Sequence, residues 1–235
     1  MTNVTTVVTC MTDAERPFLA EALRSVAFQS VPTAITLCVN RDNAWVDEVV
    51  ARLGLEIDIL RFQLAPPGIV RNRAVSRVQT EFVAFLDGDD VWHPEKLKQQ
   101  LAVLDLGALD VVASKHTLIR EDSKPFFFGF AREIPMTSSW LGRTAVFRAQ
   151  PFDDAMVGED VRLWTALQEV IRCGTVGKFL VMYRVREYSL SAETWSKRRK
   201  LAFARASHVP GVRYAMLAGS YAVHLALVGR GMLRG

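Results

Sequence analysis

Histidine and cysteine are scarce in this 235-residue chain, with four of one and three of the other. Cys10, Cys38 and Cys173 lie far apart with no CxxC spacing. That argues against a zinc site or a disulfide scaffold and suits reduced thiols. His116, His208 and His224 have no partners at ligand spacing, and His93 reads as a cap or packing neighbour of Pro94. No GxxxxGK[ST] and no GxGxxG occurs, so neither a P-loop nor a dinucleotide fingerprint is available. Residues 1–9 lack a basic region followed by an apolar run, so no secretory signal is expected. Acidic residues are missing from one end. From Ser196 to Gly235 there are eight Lys and Arg and no Asp or Glu. The whole chain carries +4, so the other 195 residues carry −4. A mildly acidic body with a basic tail says more about partners than the average does.

What is plentiful is apolar. Half of the residues are hydrophobic and 23% are charged, enough for a large core in one α/β domain or a domain with an appendage. Val4 to Cys10 reads as a strand. Two helix starts compete after it, Thr12 with Glu15 as a capping box or Pro17 at the first helical position. Ala34 to Val39 is a second strand, Trp45 to Leu53 a helix ended by Gly54, and Leu55 to Phe62 a third strand. Ile69 to Val78 is helical and carries Arg71, Asn72, Arg73 and Arg77. A further helix starts near Pro94. Asp110 to Ser114 and Thr117 to Arg120 read as two short strands, Lys124 to Pro135 as irregular, and Thr144 to Arg148 as a strand. Gly158 to Ile171 is helical and Val176 to Val185 strand-like. Strands alternating with helices predict βαβ units and a mostly parallel central sheet flanked by helices.

Chemistry concentrates at two acidic sites. Phe82-Val83-Ala84-Phe85-Leu86 reads as a buried strand that runs into Asp87-Gly88-Asp89-Asp90. Ligands bind at such strand ends in open α/β sheets, and carboxylates this close raise each other's pKa unless a cation lies among them. A hard divalent cation carrying phosphates would meet that need; a solvated acidic turn is the plain alternative. The second site, Gly158-Glu159-Asp160, opens a helix, where acids are also favoured by the helix dipole. Trp92, Trp140 and Trp164 read as core or cleft-wall aromatics, with core favoured.

This order of elements, with Arg71-Asn72 upstream of Glu81 to Asp90, then Trp92, Pro94, Lys96 and Leu97, and later Phe152-Asp153 and Gly158 to Trp164, resembles a family 2 glycosyltransferase of the GT-A fold. The resemblance covers about residues 3 to 191. It implies a Rossmann-like sheet and a hexosyltransferase-type enzyme of polysaccharide biosynthesis using a nucleotide-sugar. It also implies a Mg²⁺ or Mn²⁺ ion that neutralises the departing diphosphate as a Lewis acid. Asp89 would ligate the metal, with Asp87 near the ribose or metal and Asp90 a direct or outer ligand. Thr9 and Arg71 would meet the donor, the Arg fork suiting phosphate oxygens. Asp160 would take the acceptor hydroxyl's proton, inverting the anomeric carbon, with Glu159 orienting the acceptor or the base. The sequence departs from the family in three places, one being the short stretch between Asp90 and Glu159, which leaves little room for an elaborate acceptor domain. Asn40 stands where an acidic pair usually reads the nucleobase, and its amide can still hydrogen-bond a base. Arg186 stands where many relatives carry a histidine near the metal; a cation cannot ligate one, but it can contact the diphosphate.

Two other readings compete. Asp87-Gly88-Asp89-Asp90-Val91 fits the nucleophile motif of haloacid-dehalogenase-type phosphatases, although 80 well-patterned residues then precede it unexplained. A non-catalytic nucleotide-sugar or glycan-binding module is the third. The expected division is a transferase domain over 1–191 and a helical appendage over 192–235. In the appendage Ser196 to Ala206 is a basic helix and Val209 to Val228 is largely apolar. A hairpin packed on the domain is the first expectation. A membrane span and peripheral contact with anionic lipid are the others. The expected location is cytoplasmic, with peripheral contact at the inner face of the plasma membrane as a variant. Nucleic acid is disfavoured by the acidic body.

Overall fold

The computed structural model describes residues 3–105, 109–129, 134–188 and 194–229. β1 (Val4–Cys10) is buried along its whole length, as expected of a parallel strand covered on both faces. Beside it lie β2 (Ala34–Asn40), then β3 (Asp58–Phe62), and on the other side β4 (Phe82–Asp87), all mutually parallel. Alternate residues of these strands enter two different cores. Val4, Val8, Ala84 and Leu86 face α1 (Leu19–Ala27), α2 (Trp45–Leu53) and α4 (Lys96–Asp105). Val7, Val83 and Phe85 face α3 (Pro67–Val75), α5 (Thr144–Ala149) and α6 (Glu159–Val170). The result is a three-layer α/β/α stack.

The remaining strands are β5 (Val91–Trp92), β6 (Val111–Ile119), β7 (Pro125–Phe128), β8 (Leu141–Arg143) and β9 (Cys173–Arg184). The described sheet runs β3-β2-β1-β4-β8-β6-β9-β5, with β7 paired to β6. β8 is antiparallel to β4 and β6, and β5 is antiparallel to β9. α7 (Trp195–Ala206) and α8 (Pro210–Gly229) follow.

Local structure departs from the sequence reading in several places, the third strand, for one, starting at Asp58. The Thr12–Glu15 pair heads a short 3₁₀ turn, and α1 begins only at Leu19. Thr144 to Ala149 is a helix, because Thr144 and Phe147 are the buried positions, three residues apart. A short apolar run cannot by itself separate the two periods. β6 is one nine-residue strand, since Lys115 and His116, which looked like an interruption, are both buried within it. Its register against β9 shifts there. Of the stretch Lys124 to Pro135, residues 125–128 form β7 and residues 130–133 lie outside the described residues. Trp92, Trp140 and Trp164 are core residues.

Candidate active site

Strand register makes the first contacts. β1 and β4 run parallel with Thr9 opposite Asp87, so both strands end at one sheet edge. Thr9 Oγ1 donates to Asp87 Oδ1 at 2.9 Å, and the Gly88 amide donates to the Thr9 carbonyl at 2.7 Å. β9 runs antiparallel to β5, with Val91 opposite Met182. Its end therefore arrives over the Asp89–Asp90 turn, bringing two arginines.

Arg184 ties the turn down from behind. Its amide donates to Asp90 Oδ1 at 2.9 Å, its Nε to the Asp89 carbonyl at 2.7 Å, and its Nη2 to Glu21 Oε2 at 2.6 Å. Arg186 meets the carboxylate itself: Nε donates to Asp89 Oδ2 at 2.5 Å, and Nη1 to the Ala14 carbonyl at 3.0 Å. Asp90 is buried, and its Oδ2 has no hydrogen-bond partner. Burial, and then the charges of Asp89 and Asp87, hold its pKa well above the usual carboxylate range. Glu15 closes the same side and accepts from the Thr12 amide at 2.8 Å and Thr12 Oγ1 at 3.1 Å. Burial, reinforced by Asp89, pushes its pKa up to about 8.

α3 connects the two acidic sites. Arg71 is buried and spans them, with Nη2 2.6 Å from Asp87 Oδ1 and Nη1 2.7 Å from Glu159 Oε1. Burial opposes its charge, but the two carboxylates outweigh burial and raise its pKa. The guanidinium carbon lies 5.5 Å from the Phe152 ring centre. Asn72 clamps the same loop, donating to the Phe152 carbonyl at 2.8 Å and accepting from the Phe152 amide at 2.9 Å. The approach requires glycine at position 68, where a Cβ would sit 2.5 Å from the Asp153 carbonyl oxygen.

α6 presents the second site. Gly158 precedes it at φ +82°, a left-handed conformation that costs glycine little. Glu159 then points inward to Arg71, and burial raises its pKa. Asp160 is half-buried; its Oδ1 accepts from the Val161 amide at 2.8 Å. Among the described residues its other oxygen has no hydrogen-bond partner.

These groups line one cleft of about 610 Å³. The structure brings together Thr9, Arg71, Asp87, Asp89, Asp90, Glu159, Asp160 and Arg186; Asn40, at the end of β2, is not among the lining residues. Arg71 is neither a surface residue nor an uncommitted cation, since both of its terminal nitrogens hold carboxylates. The sequence reading missed Glu15, Ser138, Arg184 and Lys200. Ser138 Oγ accepts from the Asp87 amide at 3.2 Å, and Lys200 of α7 lines the cleft. The alternation Arg184-x-Arg186 at a strand end was the one available signal for Arg184. Among the described residues no group of three or more His, Cys, Asp or Glu is arranged to hold a metal ion.

Comparison with known proteins bears on the family and the fold. The family model described as "Glycosyltransferase like family 2" matches residues 2–124. The poly(ribitol-phosphate) beta-N-acetylglucosaminyltransferase TarS of Staphylococcus aureus (strain Mu50 / ATCC 700699) is 30% identical over 150 residues, covering 58% of this chain and 26% of TarS. The putative teichuronic acid biosynthesis glycosyltransferase TuaG of Bacillus subtilis (strain 168) is 35% identical over 57 residues, 24% of this chain and 23% of TuaG. The chain thus matches about a quarter of the length of each of these curated relatives. Among solved structures, S. aureus TarS 1–349 in complex with UDP-GlcNAc superposes with a TM-score of 0.67 at 19% identity, covering 81% of this chain and 61% of that one. The mannosyltransferase PcManGT from Pyrobaculum calidifontis, in complex with GDP-Man and Mn²⁺, superposes with a TM-score of 0.66 at 15% identity, covering 97% and 75%.

Proposed function

As this chain belongs to glycosyltransferase family 2 and has the GT-A fold, we propose that it is a metal-dependent inverting glycosyltransferase. It moves a sugar from a nucleoside-diphosphate donor to a hydroxyl of a glycan or lipid-linked acceptor. Residues 1–191 form the transferase unit and 192–235 an appendage. The proposed location is the cytoplasm, including the inner face of the plasma membrane where a lipid-linked acceptor is presented.

One observation carries the assignment of roles. Of the two carboxylates opening α6, Glu159 is buried and committed to Arg71, whereas Asp160 lines the cleft with an oxygen left over. Asp160 is therefore the base. It takes the proton of the acceptor hydroxyl as that oxygen bonds to the anomeric carbon and the bond to the diphosphate oxygen breaks. Glu159 acts through Arg71 as a positioning residue, locking the second acidic site to Asp87.

The residues also fit a Mg²⁺ or Mn²⁺ ion that arrives with the diphosphate. Such ions need only one or two protein carboxylates besides phosphate oxygens. Asp89 would hold it, with Asp87 beside it. Buried Asp90, whose Oδ2 is unpartnered, supports the turn from behind. When bound, the ion supplies Lewis-acid neutralisation of the leaving diphosphate. Arg186 then has a donor role, because a guanidinium released from Asp89 is a diphosphate ligand. Thr9 is held beside Asp87 for the donor. Asn40 is proposed as a contact to the nucleobase, on the same sheet edge.

The test is a screen of UDP-, GDP- and dTDP-sugars with Mn²⁺, read by thermal stabilisation and slow donor hydrolysis. UDP-GlcNAc and GDP-Man, the donors bound by the two solved relatives, come first. The expected result is stabilisation lost in Asp89→Ala but kept in Asp160→Asn, with turnover lost in both. Hydrolysis of sugar phosphates that depends on Asp87 would overturn the proposal in favour of a phosphatase. Donor binding with no turnover on any acceptor would favour a binding module.

A further inference from the structure

We propose that α7 and the outward face of α8 form a docking surface for an anionic lipid bilayer, on which the protein lies without crossing it. Apart from Lys200 of α7, which lines the cleft, this surface uses side chains outside it, and the inference does not depend on sugar transfer.

The polarity of α8 is inverted for a surface helix. Its inner face packs on β7 and carries Ser220 and His224, with the edge of that face closed by Tyr221, whose ring lies 5.2 Å from that of Phe128. Ser220 and His224 are buried there, the Phe128 amide donates to Ser220 Oγ at 3.1 Å, and His224 lies 5.0 Å from the Phe179 ring. Its outer face is apolar. Val212, Tyr214, Tyr221, Val223 and Leu225 are each between 40% and 61% exposed, and the positions between them are alanine and glycine wherever they are exposed. From Tyr214 to Gly229 no exposed side chain is charged. A helix that packs on a protein normally turns charged residues to water. One whose outward face is apolar has a second partner.

Charge identifies that partner. α7 lies next in sequence, with Arg198 and Arg199 exposed and Arg205 paired with Glu187, and the sequence beyond Glu193 contains no acid. A second copy docking isologously would bring two such acid-free basic segments together, which is repulsive. Anionic headgroups complement them, while the tyrosines and aliphatic side chains of α8 suit the boundary between headgroups and acyl chains. Among the described residues no helix is long and apolar enough to cross a membrane, so the helix lies along the surface.

The test is co-sedimentation of the full chain with phosphatidylcholine vesicles, with and without about one third phosphatidylglycerol. Binding to the anionic vesicles should be roughly tenfold tighter than to the neutral ones and should weaken with added salt. The pair Val223→Glu and Leu225→Glu should lose at least about tenfold of that binding while keeping the wild-type melting temperature and circular dichroism, because both side chains face outward. Arg198→Ser with Arg199→Ser should remove the preference for anionic lipid. Equal binding to both vesicle types would overturn the proposal, as would retention by the Val223/Leu225 variant. So would absence of vesicle binding together with a dimer that the same variant dissolves, which would assign the face to a second copy.

Discussion

Replacing Arg71 by methionine tests the central link of the cleft. The side chain is buried and its two terminal nitrogens hold Asp87 and Glu159. Removing one partner of a buried ion pair costs about 3–5 kcal/mol. Part of that is returned, because Arg71 Nε is itself buried without a partner, a standing penalty of about 1–3 kcal/mol. The net loss is about 2–3 kcal/mol at pH 8, and for a chain of this length that lowers Tm by about 4–12 °C. The loss depends on pH in a definite sense. Burial already raises the Glu159 pKa in the folded protein, and loss of Arg71 raises it further. An acid with a raised folded pKa keeps its stability below the unfolded value, about 4.3, and loses it as pH rises through the folded value. The variant should therefore lie close to wild type near pH 4.5 and fall away towards pH 8. In a Glu159→Gln background the same substitution should cost less, since no buried carboxylate is left unpaired. Thermal melts across that pH range read the effect. A deficit of the same size at both ends, or a fall under about 2 °C at pH 8, would refute the account of Arg71 as the counter-ion of Glu159.

Two further outcomes follow from the Arg186 side of the cleft. Arg186→Gln frees Asp89 from its guanidinium partner, so Mn²⁺ should bind the nucleotide-free protein about tenfold more tightly, equivalent to about 1.4 kcal/mol; titration calorimetry reads this, and an unchanged affinity would show that the arginine and the cation do not compete. Glu15 has its pKa raised to about 8 by burial and by Asp89, so the wild type loses stability as pH climbs from the ordinary glutamate value to 8. Glu15→Gln, which cannot ionise, should gain on wild type across that window and hold a constant lead above it; denaturant melts giving parallel curves at every pH would contradict the assignment.

The parts of the molecule legible in the sequence were those in which local pattern and tertiary placement agree. β1 and β4 are buried almost throughout because parallel strands are covered on both faces, and their ends lie at the cleft. α2 matched residue for residue, since Trp45 opens its periodicity and Gly54 closes it in a left-handed conformation. β6 and α5 were misread for one shared reason: burial, not composition, decides their period. Lys115 and His116 look like a break until β7 and β9 flank them on either side in the sheet, and Thr144-Ala145-Val146-Phe147 looks like a strand until β8 takes the preceding residues. Within the cleft, the acidic pairs were visible because they sit next to each other in sequence. The partners of those acids were not. Arg71 reaches Glu159 across 88 positions and Arg186 reaches Asp89 across 97, distances over which no spacing rule operates.

That pairing explains how a cleft so rich in carboxyl groups can receive an anionic donor. Six acidic side chains line it: Glu15, Asp87, Asp89, Asp90, Glu159 and Asp160. Burial drives Glu15 and Asp90 towards the neutral form. Arg71 spans Asp87 and Glu159, and Arg186 covers Asp89. Besides Glu15 and Asp90, Asp160 is the one cleft acid without a guanidinium partner among the described residues, and it lies at the opening of α6. A diphosphate entering the cleft therefore meets a surface whose negative charge is already largely compensated. Under the proposed reaction, the base is the carboxylate for which the fold provides no counter-ion. Supplying one would test this directly: a lysine placed next to Asp160, at Val161, should depress turnover while leaving donor-induced stabilisation intact, because it opposes proton uptake at Asp160 without touching Asp89 or Arg71.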